Sequence, residues 1–420
     1  MSRRGYDPRV LDGLAEELAS REITRQQFVK RAAALGLSAP LIGSVLAACG
    51  GGDNEGGGGG GGGGGNGEGS ARGGTLQLLT WEGYASDGVL DPFREEFGAN
   101  VTAELHVDDP TSINRLRAGD TRVFDIINVN NNWAQQVMHP DDLIQPLDQE
   151  EFKQYFEPGQ VLAEFEWPYK WAMSLDGNEL LGIVQRFGPF SFVVNTDKVS
   201  KETAESEAWK LFLDPANRGR FGVLTYPNWN LMHLLLASDI DPFAEHSDQD
   251  LESFEETART ILGNAKLKTD DFGALTTAML NEEIDFYFTG GTYTTSPARL
   301  EGHENVLAIT PLSGPADGKG GITWIEVTSL VNKPELSPLA SEFLKYVQRP
   351  EIAHEVAMAE GTHNPVAQMG NEEVMKQFSK EELVALQWDT LEEDLERTVD
   401  YNIIPREEEF LQIYERALRA

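Results

Sequence analysis

Apolar and polar positions change rhythm repeatedly along this chain of 420 residues. Residues 32–48 (AAALGLSAPLIGSVLAA) form an uncharged apolar run behind Lys30-Arg31. The run is 17 residues long and broken by Pro40, so it is short for a spanning helix and reads as the apolar part of an export signal. Residues 50–74 are mostly glycine and cannot bury enough apolar area to offset their ordering entropy, which predicts a flexible tether. From residue 75 the pattern becomes that of a folded body. Short apolar or alternating runs predict strands over 75–80 (TLQLLT), 100–107, 124–129 (FDIINV), 221–225, 284–288 and 322–330. Spacing of three and four at Leu90, Phe93 and Phe97 predicts a helix. Others are predicted over 112–118, 231–237, 251–262, 339–347 and 352–359. Alternation of this kind implies an α/β body with mainly parallel sheets, over residues 75–420.

In open α/β sheets a ligand sits beyond the carboxyl ends of the strands. The residues after each predicted strand are therefore the candidates. Trp81-Glu82-Gly83-Tyr84 follows the first, and Asn130-Asn131-Asn132-Trp133 follows FDIINV. Tyr226-Pro227-Asn228-Trp229-Asn230 follows 221–225, and Phe288-Thr289-Gly290-Gly291-Thr292-Tyr293 closes the next. Trp324 and Glu326 stand two apart on a strand and so share a face. The candidate set is Trp81, Tyr84, Asn130, Asn132, Trp133, Asn228, Trp229, Asn230, Phe288, Thr289, Trp324 and Glu326. The rings of Trp81, Trp133, Trp229, Phe288 and Trp324 are expected to line one cleft. Taken singly, each aromatic is better explained by core or loop packing, and the Asn set is equally well explained by turn chemistry. It is their recurrence at strand after strand that points to a ligand.

Composition narrows the function classes. The chain carries 34 basic and 69 acidic residues, a net charge of -35. Such a surface repels nucleic-acid phosphates and attracts cationic solutes at long range. Cys49 is the single cysteine, so neither an internal disulfide nor a Cys-rich zinc site can form.

No catalytic constellation emerges. His354-Glu355-Val356-Ala357-Met358 begins like a zinc-protease helix but has Met where the second His must stand. Asp141-Asp142 and Asp270-Asp271 lack a full calcium loop. No metal site and no cofactor are expected, and the chain reads as a binding protein rather than an enzyme.

Two resemblances sharpen this reading. Leu46-Ala47-Ala48-Cys49 resembles the lipobox of bacterial lipoproteins. That implies cleavage before Cys49, lipidation of its thiol, and division into a signal peptide (1–48), a tether (49–74) and the body. Thr24-Arg25-Gln26-Gln27-Phe28-Val29-Lys30 resembles a twin-arginine signal but departs from it at Gln26. The body resembles the polyamine (spermidine/putrescine) binding proteins of ABC importers over most of residues 75–370. The resemblance rests on Leu79-Thr80-Trp81-Glu82-Gly83-Tyr84, Phe190-Ser191-Phe192-Val193-Val194-Asn195, the segment 209–221 with Leu211, Pro215, Gly219 and Arg220, Gly320-Gly321-Ile322-Thr323-Trp324-Ile325-Glu326, and Gln348-Arg349-Pro350-Glu351.

The resemblance implies a two-lobed periplasmic-binding-protein fold of type II, with the ligand cleft between the lobes and crossing segments near 190–200 and 310–330. It implies a monomer anchored outside the cell membrane, capturing a polyamine-like ligand for the membrane subunits of an importer. Glu326 falls where the family's acidic residue meets a ligand amine. The family's other carboxylates align with positions held here by Pro227, Asn230 and Gly291. One carboxylate among aromatic rings suits a ligand with a single charged end. A neutral or zwitterionic solute remains the alternative.

Overall fold

A computed structural model describes residues 72–105, 108–359 and 361–420. The export signal, Cys49 and nearly all of the tether lie outside the described residues. Eleven strands form in chain order: β1 (Thr75–Thr80), β2 (Asn100–Leu105), β3 (Ile126–Asn130), β4 (Ile144–Gln145), β5 (Ile183–Asn195), β6 (Phe221–Leu224), β7 (Leu267–Thr269), β8 (Phe286–Gly290), β9 (Val306–Ile309), β10 (Gly321–Val331) and β11 (Thr398–Asp400). All the expected strands are present, and so are the expected helices. The last two positions of the predicted 100–107 strand lie outside the described residues.

Two parallel triplets build the two lobes. In the first, β1 lies between β2 and β3; in the second, β6 lies between β7 and β8. Helices cross between the strands of each triplet, as parallel pairing requires. The helix Asp87–Phe97 joins β1 to β2 and buries Val89, Leu90, Phe93 and Phe97. It stops at Gly98, whose φ of 60° is the left-handed conformation that ends helices. The helix Asp109–Arg117 starts under a side-chain cap, with the Asp108 carboxylate accepting from the Thr111 N–H at 2.7 Å.

Two long strands connect the triplets. β10 pairs antiparallel with β3, and β5 pairs antiparallel with β10 through its first half. The second half of β5 pairs with β8 and β9. Every residue of β5 and β10 is buried, as strands covered on both faces must be. The expectation of mainly parallel sheets needs correction. Half of the strand pairings are antiparallel, and each of those involves β5 or β10. Four of the five parallel pairings lie within the triplets, and the fifth joins β11 to the crossing strand β10.

The elements missed by sequence periodicity are mostly late and short. They include the helices Phe272–Leu280 and Thr292–Leu300, and the closing helix Glu407–Arg419, which buries Phe410, Ile413, Tyr414 and Ala417 against the second lobe. The paired acids of the sequence are accounted for locally. Asp271 caps Phe272–Leu280, accepting from the Ala274 N–H, and Asp141 pairs with Arg117. His354 pairs with Glu382.

Candidate functional site

The carboxyl ends of both triplets converge on one cavity of about 210 Å³. From the first lobe, Trp81 and Glu82 follow β1, Leu105 ends β2 and Asn130 ends β3. From the second, Tyr226 and Trp229 follow β6, Phe272 follows β7 and Tyr293 follows β8. The crossing strands give Arg186 and Phe190 from β5 and Trp324 and Glu326 from β10. Thr362 and Asn364 close the lining.

The wall is aromatic and continuous. Ring centroids lie 5.4 Å apart for Trp229 and Phe190, 6.2 Å for Phe190 and Trp324, 6.2 Å for Trp324 and Tyr293, and 5.3 Å for Tyr293 and Trp229. Trp81 reaches across from the first lobe to within 6.4 Å of Trp229 in the second. Such rings offer faces to a cation or flat apolar area to a neutral ligand. Several polar atoms of the lining are buried without a hydrogen-bond partner among the described residues: Asn130 Oδ1, Tyr293 OH, Trp324 Nε1, Asn364 Oδ1 and Arg186 Nη1.

The charged groups are not arranged as the sequence suggests. Glu326 lines the cavity, but it does not stand as an isolated carboxylate. Its Oε2 accepts from Tyr84 OH at 2.7 Å and from Arg186 Nε at 3.1 Å. The Arg186 backbone N–H donates to Tyr84 OH at 3.1 Å, and the guanidinium carbon lies 4.7 Å from the Tyr84 ring centroid. Burial, with the Glu326 charge second, pushes the Tyr84 hydroxyl well above its ordinary range, so it donates rather than ionises. A second buried carboxyl lies beside the site. Asp109, 3% exposed, accepts from Asn130 Nδ2 at 2.8 Å. Burial pushes its carboxyl up to about 7, against the lowering effect of the Asn130 hydrogen bonds. Asp109 borders a narrow crevice beside the cavity, with Trp81, Tyr226 and Tyr401.

Of the twelve candidates from sequence, Trp81, Asn130, Trp229, Trp324 and Glu326 line the cavity together. Asn228 lies on the adjoining crevice. The other six lie outside the cavity lining. Tyr84 sits behind Glu326, holding it. Trp133 is buried and donates from Nε1 to Tyr401 OH at 3.4 Å, and Asn132 is buried beside it. Phe288 is wholly buried against Trp209 and Phe212. Thr289 donates to Asn230 Oδ1 and bonds His233 Nδ1, while Asn230 Nδ2 donates to Tyr414 OH. That buried network ties β8 to the helix Pro227–Ala237, and burial drives the His233 pKa down to about 3, so the ring is neutral. Of the five expected cleft rings, Trp133 and Phe288 therefore belong to packing. Sequence reasoning missed Arg186, Tyr293, Phe272 and Asn364. Arg186 stands inside a strand of otherwise buried residues, where a charge demands a partner, but no strand was expected there from sequence.

Comparison with known proteins agrees with this geometry. No family model matches the chain. The spermidine/putrescine-binding periplasmic protein of Salmonella typhimurium is 20% identical over 299 residues, covering 69% of this chain and 77% of that protein. Among solved structures, the spermidine/putrescine ABC transporter substrate-binding protein of Streptococcus pneumoniae matches with a TM-score of 0.59 at 17% identity, covering 82% of this chain and 98% of that one. The TpPotD lipoprotein of Treponema pallidum matches with a TM-score of 0.63 at 13% identity, covering 82% and 99%. The chain has the two-lobed α/β fold of the periplasmic binding proteins, with a cleft between the lobes.

Proposed function

We propose that this chain is the extracytoplasmic substrate-binding component of an ABC importer, and that its ligand is a polyamine or a related amine. The observation that carries the reading is the cavity itself. It lies at the carboxyl ends of strands from both lobes and is walled by Trp81, Trp229, Phe190, Trp324 and Tyr293. A desolvated ammonium over such rings gains up to about 2 kcal/mol. The relatives named as spermidine/putrescine-binding proteins support the same class. The partner of the loaded protein is the membrane permease, reached by a monomer tethered to the membrane. The Arg186–Glu326 pair favours a second reading within the same transport role, a zwitterionic solute, because the Glu326 charge is already neutralised.

The direct test is mass spectrometry of the small molecule that co-purifies with the protein, followed by thermal-shift and scattering measurements with it. Ligand at 100 times its dissociation constant is expected to stabilise the fold by about 2.7 kcal/mol. Binding is expected to hold the lobes together, a hinge closure read as a smaller radius of gyration. A solute that binds the outer surface, leaving Trp229 and Trp324 fluorescence and the scattering profile unchanged, would refute the cleft.

Lipid anchoring at Cys49 is part of the proposal and has its own test. The lipobox-like Leu46-Ala47-Ala48-Cys49 stands directly before the glycine-rich tether. A Cys49→Ser variant is expected to leave the membrane fraction and appear in soluble extracytoplasmic fractions. Unchanged membrane association would mean that some other segment holds the protein there.

A further inference from the structure

Arg186 is the one group in the cavity whose placement the amine reading does not require. It is 4% exposed, lines the cavity, and sits on a crossing strand rather than a loop. A guanidinium has five N–H donors in a fixed fork. Glu326 accepts only at Nε. Nη1 is buried and has no hydrogen-bond partner among the described residues. A buried charged donor left without an acceptor is costly, and structures rarely keep one without a use.

The surroundings hold the fork in this position. The Tyr84 ring lies 4.7 Å from the guanidinium carbon, and Tyr84 and Glu326 fix the Nε side through bonds of 2.7 and 3.1 Å. Gly83 leaves the space that the outer side occupies. A Cβ there would lie 2.6 Å from Nη1, and the φ of +100° at Gly83 disfavours a side chain as well. The arginine is thus clamped at Nε, while Nη1 packs against Gly83 without an acceptor among the described residues. Planar, two-pronged recognition of an oxyanion is what such a fork does best.

The cavity lining also holds an acid. Glu82 lines both the cavity and the adjoining crevice that carries Asp270 and Asp271. The lining therefore combines a clamped cation, a carboxylate and a wall of rings.

We infer that the ligand carries an oxyanion, a carboxylate, that docks on Arg186, with its ammonium end lying over the rings. This rests on the amine-importer reading and narrows it: the solute is an amino acid of the ω-amino type or a close analogue, not a diamine. Arg186 is then a specificity-determining residue. A diamine would leave the clamped guanidinium facing an ammonium, a like-charge contact.

The test uses length-matched probes on the wild-type protein. Calorimetry compares 4-aminobutanoate with putrescine, 5-aminopentanoate with cadaverine, and 6-aminohexanoate with hexane-1,6-diamine. At least one amino acid is expected to bind about 10- to 100-fold more tightly than its diamine, the range for a charge-assisted hydrogen bond. Arg186→Gln paired with Glu326→Gln keeps the buried pair neutral and similarly shaped, and is expected to bring the two probes of each pair within about threefold. Should the double variant fail to fold, the wild-type comparison decides alone. Diamines that bind as well as or better than the amino acids overturn the inference and leave the amine importer standing. Binding of neither series overturns both.

Discussion

Replacing Arg186 by methionine is expected to cost about 3–5 kcal/mol of folding free energy, the usual result of removing one partner of a buried ion pair. The side chains of Arg186 and Glu326 are 5% and 8% exposed, and the Arg186 Nε lies 3.1 Å from Glu326 Oε2. Without the guanidinium, the carboxylate keeps only the Tyr84 hydroxyl, at 2.7 Å. The compensated variant, Arg186→Met with Glu326→Gln, is expected to recover most of the loss, because a buried pair is close to neutral against a well-fitted uncharged replacement. Tyr84→Phe, which deletes one donor and leaves the pair, is expected to cost about 1–3 kcal/mol. Chemical denaturation followed by fluorescence and far-ultraviolet ellipticity measures all three. An Arg186→Met protein as stable as its parent would mean that water reaches Glu326 and that the pair is not sealed within the fold.

This cluster also shows where sequence reading succeeds and stops. Strands and their carboxyl ends were legible because buried parallel strands are short apolar runs followed by loop residues. Trp81, Asn130 and Trp229 were found in that way, and all three line the cavity. Arg186 was not found because no strand was expected over 183–189, where Gly188-Pro189 breaks the apolar run. In the fold β5 passes straight through both residues, with Gly188 opposite Trp324 and Pro189 opposite Thr323. Phe288 misled for a related reason. Strand β8 continues to Gly290, so Phe288 is interior and Tyr293, at the start of the next helix, reaches the cavity instead. A strand end misplaced by two residues exchanges a ring inside the strand for a ring of the element that follows it. Glu326 was placed on the correct face beside Trp324, but its ion pair depends on the register of β10 against β5, a long-range property that no local pattern carries.

The same reasoning explains a pattern in the charges. By the resemblance to polyamine-binding proteins, places expected to carry acids hold Pro227, Asn230 and Gly291, which implies a cavity poorer in carboxylates than a diamine site requires. The structure supplies one back from an unexpected place, Asp109 in the first turn of the helix after β2, joined to the cavity wall through Asn130. Asn130 donates its amide to Asp109, and its Oδ1 is buried without a donor among the described residues.

Asp109 gives the protein a stability that falls as pH rises from about 4 to about 7. An unfolded aspartate titrates near 3.9, whereas burial raises the Asp109 carboxyl in the folded state to about 7. The folded state therefore holds a proton that the unfolded state releases throughout this interval. Stability falls with pH wherever the folded state binds more protons, so the contribution is fully present below about 4 and lost by about 7. At 1.36 kcal/mol per unit, the full swing is on the order of 4 kcal/mol. Asp109→Asn has no proton to lose and can still accept from Asn130, so it is expected to remove this slope and to be more stable than the parent at pH 8. Other groups also titrate in the interval, and they contribute equally to parent and variant, so the difference between the two profiles isolates Asp109. Denaturation at half-unit steps from pH 4 to 8 measures that difference. Parallel profiles would mean that Asp109 is ionised throughout, that the crevice beside the cavity is wet, and that the carboxylate is free to meet a cationic ligand without first giving up a proton.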